Sequence, residues 1–415
     1  MNGHSLPGSG MNISCFKIFY VTGAFLFYVF AGVGISLADQ SQAVSRMLSL
    51  IQEKDAVLLT DPQGKIIASR NAQNLLVPAS TLKILTALVS IHYFGENYRF
   101  VTECYVDKDQ NLKIKGFGDP LFVSEIMPDF SRQILRHLDF YKDMVLDVSA
   151  FQQPLRIPGV SETSEPYDAP NAAFCANFNT INFQKTSSGK YVSAEPQTPL
   201  VPFAVSRIRA LGTGSGRIVF SHSQGENVLY AGHLVADFMS QQGIMSSGQI
   251  LIGRVEEEDR LLLKFVSPYQ LTDVIVKLMA YSNNYIANQL FIAAGIQAYG
   301  PPGSIDKGIR AYQEFLRKEM KMETVQLAEG SGISRVNRIS AEQMDRLLLR
   351  FFPYRELMRR QGNELFKTGT LDGVRTRAGY IEGRDGRVYR FVVLINTPGK
   401  TVDPVMEMIR GITGG

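Results

Sequence analysis

The chain is predicted to be an α+β protein whose two ends fold together around a long, mainly β middle segment, and three observations predict it. Strand-like apolar runs stand near both ends, at 56–60 and 65–70 and again at 374–381 and 387–396. A strongly apolar helical run, 80–94 (STLKILTALVSIHYF), follows the first pair, and two helical runs within 268–295 precede the second. Between them lies a stretch of about 170 residues, long enough for a domain of its own.

Residues 1–38 read as a secretory signal. Phe16 to Val33 is almost wholly apolar, Lys17 is the one early Lys or Arg, and Ser36-Leu37-Ala38 offers small residues for cleavage. An uncleaved membrane anchor is the rival reading, because eighteen apolar residues approach spanning length. Either way the protein is expected to be exported, periplasmic or held in the cell envelope. Cys15 precedes the apolar run and is not placed like a lipoprotein cysteine.

A helix at 40–53 (QSQAVSRMLSLIQE) then leads into a hairpin, AVLLT and KIIASR, turned at Asp61-Pro62-Gln63-Gly64. Leu82, Leu85, Ala87, Leu88, Val89 and Ile91 surround most of the 80–94 helix, so it should be buried. The segment 97–264 is read as an insert of mainly β character. VTECYVD, NLKIKGF, DMVLDVS, GRIVFS and ILIGRV are its strands, with frequent Pro and Gly between them and a split near residue 150. The flanks, 39–96 and 265–415, would form one domain. Helices at 305–321 and 341–352, the two late strands and a final helix, PVMEMIRGIT, complete it.

Three polar motifs carry the chemistry: Ser80-Thr81-Leu82-Lys83, Ser282-Asn283-Asn284 and Lys367-Thr368-Gly369-Thr370. Each is weak alone. Ser-x-x-Lys occurs four times (Ser14, Ser80, Ser187 and Ser304) and Ser-x-Asn twice (Ser69 and Ser282), whereas Lys-Thr-Gly is unique. Context selects among them. Ser80 alone opens a long apolar helix, where a serine is most often just a cap. Lys83, one turn on, shares its face, and a lysine inside a buried turn must be paired or neutral. Burial and a second cation, for which Lys367 is the candidate, would lower its pKa and make it a base. Ser282-Asn283-Asn284 falls between two apolar helices, either a plain connection or a loop projecting into a cleft. Lys367 and Thr368 fall on a strand-like run, with Gly369 allowing close approach to the backbone. The set supplies an attacking hydroxyl, an amine, a second hydroxyl and a cationic anchor for an anion. That is acyl transfer by serine without histidine. His4, His92, His137, His222 and His233 lie outside any motif.

The triplet resembles that of the penicillin-recognising serine enzymes. LVPASTLKILTAL, GFGDPLF, YDAPNAAFCANFNTINF, YSNNYIANQL, EGSGISRVN and KTGTLDGVRTRAGY are similar to one branch, the class C penicillin-binding proteins of the D-alanyl-D-alanine carboxypeptidase/endopeptidase family, peptidase family S13. The chain departs from many relatives in having Ser-Asn-Asn for Ser-Asp-Asn. The resemblance implies a transpeptidase/β-lactamase-like domain with an antiparallel sheet flanked by helices. It further implies that Ser80 attacks the penultimate D-alanine carbonyl of a peptidoglycan stem peptide. Lys83 would accept the proton and Ser282 would pass one to the leaving amine. Asn284 would bind the substrate amide, and Lys367, Thr368 and Thr370 its carboxylate. The N–H groups of Ser80 and Thr370 would line an oxyanion hole. β-Lactams would acylate Ser80. Two alternatives stay open, a β-lactamase and a penicillin-binding or wall-sensing protein that does not turn over. Glu329-Gly330-Ser331-Gly332 is read as a cleft-side loop or a turn.

Composition narrows the rest. A formal charge of +4, scattered along the chain, argues against nucleic acid. No metal-ligand cluster or cofactor motif stands out, so no cofactor is expected. Cys104 and Cys175 are read either as a pair or as two free thiols. Peripheral membrane association and homo-oligomerisation are left open.

Overall fold

A computed structural model describes residues 37–212 and 214–414. The apolar leader run at 16–33 and Cys15 lie outside the described residues. Among the described residues, no helix is long and apolar enough to cross a membrane.

The chain begins with α1 (Leu37–Ser49), β1 (Asp55–Thr60), β2 (Ile66–Arg70), a 3₁₀ turn at Ala79–Leu82 and α2 (Lys83–Phe94). Its middle runs β3 (Val101–Val106), β4 (Leu112–Gly116), α3 (Met127–Leu135), β5 (Phe140–Tyr141), β6 (Met144–Asp147), β7 (Thr180–Lys185) and β8 (Tyr191–Ser193). Next come α4 (Pro202–Leu211), β9 (Ser215–Val219), α5 (Gln224–Gln241), β10 (Met245–Ser246), β11 (Ile250–Gly253) and β12 (Arg260–Val266). It ends with α6 (Leu271–Tyr281), α7 (Asn284–Tyr299), α8 (Ile305–Lys318), α9 (Ala341–Phe351), β13 (Arg359–Gln361), β14 (Glu364–Leu371), β15 (Val374–Glu382), β16 (Val388–Ile395) and α10 (Asp403–Thr413).

The two chain ends build one antiparallel six-stranded sheet, ordered β13-β14-β15-β16-β1-β2. β1 pairs with β16 from Asp55↔Ile395 to Thr60↔Arg390. Both strands are apolar without alternation because both faces are covered. Ala56 and Leu58 point into the core shared with α2 and α7, while Val57 and Leu59 point to a second core with Met47, Met406 and Ile409 of α1 and α10. Strands from residues 101–266 instead form a five-stranded sheet (β11-β6-β4-β3-β12), a three-stranded one (β8-β7-β9) and the pair β10-β5. Helices α3, α4 and α5 also belong to this stretch, and the sequence reading named none of them.

The sequence reading started an α-helix at Ser80. The α-helix instead begins at Lys83, and Ser80 sits in the 3₁₀ turn before it. Ala79 has φ 46°, which a non-glycine residue adopts only under constraint, and this sets the turn apart from α2. α2 is the hub of the site: Lys83 through Ser90 are all buried. Fully burying one such leucine contributes about 1.5–3 kcal/mol. The stretch 167–183 lies along α7, with Asn171 Nδ2 donating to the Tyr285 carbonyl (2.9 Å) and Gln289 Oε1 (3.0 Å). Cys104 and Cys175 are buried free thiols.

Candidate active site

The structure brings Ser80, Lys83, Ser282, Asn284 and Lys367 to one place, where α2, the α6–α7 junction and β14 meet. The other copies of the short motifs are accounted for structurally. Ser304 caps α8, accepting from Lys307 N, and Asn71 donates to the carbonyls of Gln52 and Asp55. Ser14 lies outside the described residues, and Thr186 to Lys190 form a turn after β7.

Lys83 is fully buried. Its Nζ lies 2.8 Å from Ser80 Oγ, 2.8 Å from Asn284 Oδ1 and 2.7 Å from the Ser331 carbonyl. Two of these partners can only accept. The Asn284 amide is oriented by its Nδ2, which donates to the Tyr167 carbonyl (3.2 Å). A neutral amine has two N–H donors and one lone pair. Once the donors are given to Asn284 and Ser331, the lone pair faces the Ser80 hydroxyl. Burial, and then the charge of Lys367, push the Lys83 pKa well below its ordinary value, with Glu329 opposing. The geometry and the electrostatics therefore agree on an amine able to receive a proton.

Ser282 has φ 53° and ends α6; Asn283 caps α7, its Oδ1 accepting from Ile286 N at 3.0 Å. Apolar helices on either side bury themselves and leave this junction to project polar groups. Lys367 Nζ donates to Ser282 Oγ (2.7 Å) and to the Thr368 carbonyl (2.8 Å). Burial first, and Arg359 second, bring Lys367 down to about 7. Two amines this close cannot both stay charged at low cost. Lys367 is the one beside which an incoming anion would restore the charge.

Alternation along β14 puts Lys367 and Gly369 on the buried face and leaves Thr368 and Thr370 exposed. β13 pairs with β14 only through Phe366, so beyond it the outer edge of β14 is not covered by β13. Gly369 presses on the 3₁₀ turn: a Cβ there would lie 2.8 Å from Ser80 N and 2.9 Å from Ala79 Cβ. Thr376 Oγ1 fastens the turn to β15 by donating to the Pro78 carbonyl at 2.7 Å.

Of the four described histidines, His137 is exposed just beyond α3, and the other three are engaged elsewhere. His92 packs on Phe315, His222 Nε2 pairs with the Thr163 carbonyl, and His233 stacks on Phe203. Among the described residues no group of His, Cys, Asp and Glu could hold a metal ion. Sequence reasoning missed Ser331, whose carbonyl completes the Lys83 shell, and Thr376. The first stands in the singled-out Glu-Gly-Ser-Gly run, so a signal existed, but its target lies far away in the chain.

Comparison with known proteins identifies relatives of the chain. The model of the D-Ala-D-Ala carboxypeptidase 3 (S13) family matches residues 49–216 and 218–352. The D-alanyl-D-alanine carboxypeptidase DacB of Haemophilus influenzae is 25% identical over 403 residues, covering 80% of this chain and 83% of the relative. A D-alanyl-D-alanine carboxypeptidase of an Actinomadura strain is 24% identical over 448 residues, covering 86% and 82%. Among solved structures, penicillin-binding protein 4 from H. influenzae has a TM-score of 0.73 at 21% identity, covering 89% of this chain and 98% of its own. This structural likeness shows the fold, an α+β architecture built on an antiparallel sheet.

Proposed function

The chain belongs to the D-Ala-D-Ala carboxypeptidase 3 (S13) family, a serine D,D-peptidase family, and from that premise we propose a mechanism and assign its residues. Ser80 Oγ attacks the carbonyl of the penultimate D-alanine of a peptidoglycan stem peptide while Lys83 Nζ takes its proton. The C–N bond to the terminal D-alanine breaks as Ser282 hands a proton to the departing nitrogen. Lys367, donating to Ser282 Oγ, leaves that hydroxyl hydrogen free for the transfer. The proton held on Lys83 then restores Ser282. The oxyanion is met by the N–H groups of Ser80 and Thr370. Asn284 binds the substrate amide. The carboxylate lies at the edge of β14 against Lys367, Thr368 and Thr370, with Gly369 giving it room. Water hydrolyses the acyl-enzyme by the reverse proton path.

The observation that carries this reading is the Lys83 shell, two obligate acceptors and one hydroxyl around a fully buried amine. The same chemistry on a cross-link is an endopeptidase reaction. A β-lactam acylates Ser80 in the same way and blocks the site, because its leaving group stays tethered. Such a substrate lies outside the cytoplasm, which favours export with removal of residues 1–38. The partition into a catalytic domain (39–96 and 265–415) and an insert (97–264) is supported by the origin of the sheets. The test is D-alanine release from a stem pentapeptide together with labelling by fluorescent penicillin. The wild type should do both and Ser80→Ala neither. Labelling without release would favour a sensor, and rapid penicillin hydrolysis a β-lactamase.

A further inference from the structure

We propose that Glu329 is a positioning residue for proton abstraction: its carboxylate holds the 330–332 backbone so that the Ser331 carbonyl fixes one N–H of Lys83. The inference rests on the assignment of Lys83 as the base for Ser80.

Glu329 is fully buried and its hydrogen-bond partners are all donors. Oε2 accepts from Ser331 N and Ser331 Oγ, both at 2.6 Å. Oε1 accepts from Gly332 N (2.8 Å), Ser334 N (3.3 Å) and Asn337 Nδ2 (2.6 Å). In a trans peptide the N–H and C=O point opposite ways. Holding the N–H of Ser331 therefore turns the Gly330 carbonyl away from the carboxylate, and holding that of Gly332 does the same to the Ser331 carbonyl. Both carbonyls meet α2. Gly330 O accepts from Thr86 Oγ1 (2.5 Å) and Ser331 O from Lys83 Nζ (2.7 Å), two residues one turn apart. Gly332 completes the loop at φ +85°, where a Cβ would lie 1.9 Å from the Ala79 carbonyl oxygen. The loop thus touches the base on one side and the nucleophile's turn on the other.

The carboxylate has a second effect, through its charge. It favours the ammonium form of Lys83, against burial and Lys367. The titratable groups bearing on the pair are Lys367 from β14 and Tyr312 from α8.

The test is the pH profile of Ser80 acylation by fluorescent penicillin in Glu329→Gln. Glutamine keeps the shape, but its NH₂ cannot accept from a backbone N–H, so one of the two carbonyls is released. Acylation should slow about 100-fold, as for a misplacement of about 1 Å, with half-saturation little changed. The acid limb should move to lower pH, because the anion that favoured the ammonium form is gone. A normal rate, or a slower rate with an unmoved limb, overturns the proposal. Labelling of Ser80→Ala would instead sink the catalytic reading itself. Thr86→Val decides the matter if the glutamine variant does not fold. Acylation within about threefold of wild type leaves the carboxylate as the anchor, and a 100-fold loss would show that the helix places the loop.

Discussion

Gly369→Ala probes the contact between β14 and the 3₁₀ turn that carries Ser80. The added methyl would lie 2.3 Å from Thr376 Oγ1, 2.8 Å from Ser80 N and 2.9 Å from Ala79 Cβ. Ordinary contact begins near 3.4 Å, so something must yield by about 1 Å. The turn is the poorer candidate, because the Pro78 carbonyl is held by Thr376 Oγ1 and Thr81 Oγ1, each at 2.7 Å. β14 is the freer, since beyond Phe366 it has lost β13. The strand should move outward, carrying Thr370 N away from Ser80 N and opening the proposed oxyanion site. Overpacking costs about 1–3 kcal/mol of stability. Loss of one oxyanion donor costs about 10²–10³ in rate, or 2.7–4 kcal/mol of barrier. The assay is the second-order rate of fluorescent-penicillin labelling, with thermal unfolding followed alongside. The expected result is a folded protein labelled at least 100-fold more slowly. Gly411→Ala on α10, where a Cβ meets nothing within 4 Å, should label normally. Labelling of Gly369→Ala within threefold of wild type would refute the reasoning.

Other outcomes follow from the two amines. Acylation should follow a bell-shaped pH profile, rising as Lys83 loses its proton and falling above about 7 as free-enzyme Lys367 loses the charge that anchors a carboxylate; a profile flat from pH 6 to 9 would contradict the assignment. Ser282→Ala should slow D-alanine release by about 10²–10⁴-fold with the fold intact, since a general acid–base relay is worth that much. Stability carries a signature too. Because Lys367 titrates lower in the folded state than in the unfolded, the unfolded chain binds the extra proton between about 7 and 10.5, and stability from this group rises with pH there. Wild type compared with Lys367→Met should therefore gain about 1.4 kcal/mol per pH unit across that window, measured by denaturant unfolding at pH 7, 8 and 9. Lys83→Arg should abolish labelling, because a guanidinium does not become neutral.

Much of the scaffold was legible because its elements are apolar enough to announce themselves. β1 and β16 read as strands since both faces are buried, and α2 as a helix since nearly all of its first two turns are. α5 escaped notice: its apolar positions, Val228, Leu234, Val235 and Phe238, are interrupted by Gly232 and His233, so periodicity alone was weak. The 3₁₀ turn was illegible for another reason. Ala79 takes its positive φ where Gly332 and Gly369 close on it from distant parts of the chain, and local propensity holds no trace of that. The five side chains that converge here stood out because their types fit one chemistry and their surroundings read as buried helices and a strand-like run. Ser331 was missed because it acts through its carbonyl, which any residue carries. Glu329 was seen without a role, since its meaning depends on which peptide groups it holds.

The charge on Lys83 is the claim from which the rest descends. Lysine labelled with ¹³C at Cε reports protonation directly, and the Lys83 signal is assigned as the one lost in Lys83→Arg. The account predicts that this signal becomes that of a neutral amine well below the ordinary lysine range. A Lys83 signal that stays protonated until pH 10 would contradict it.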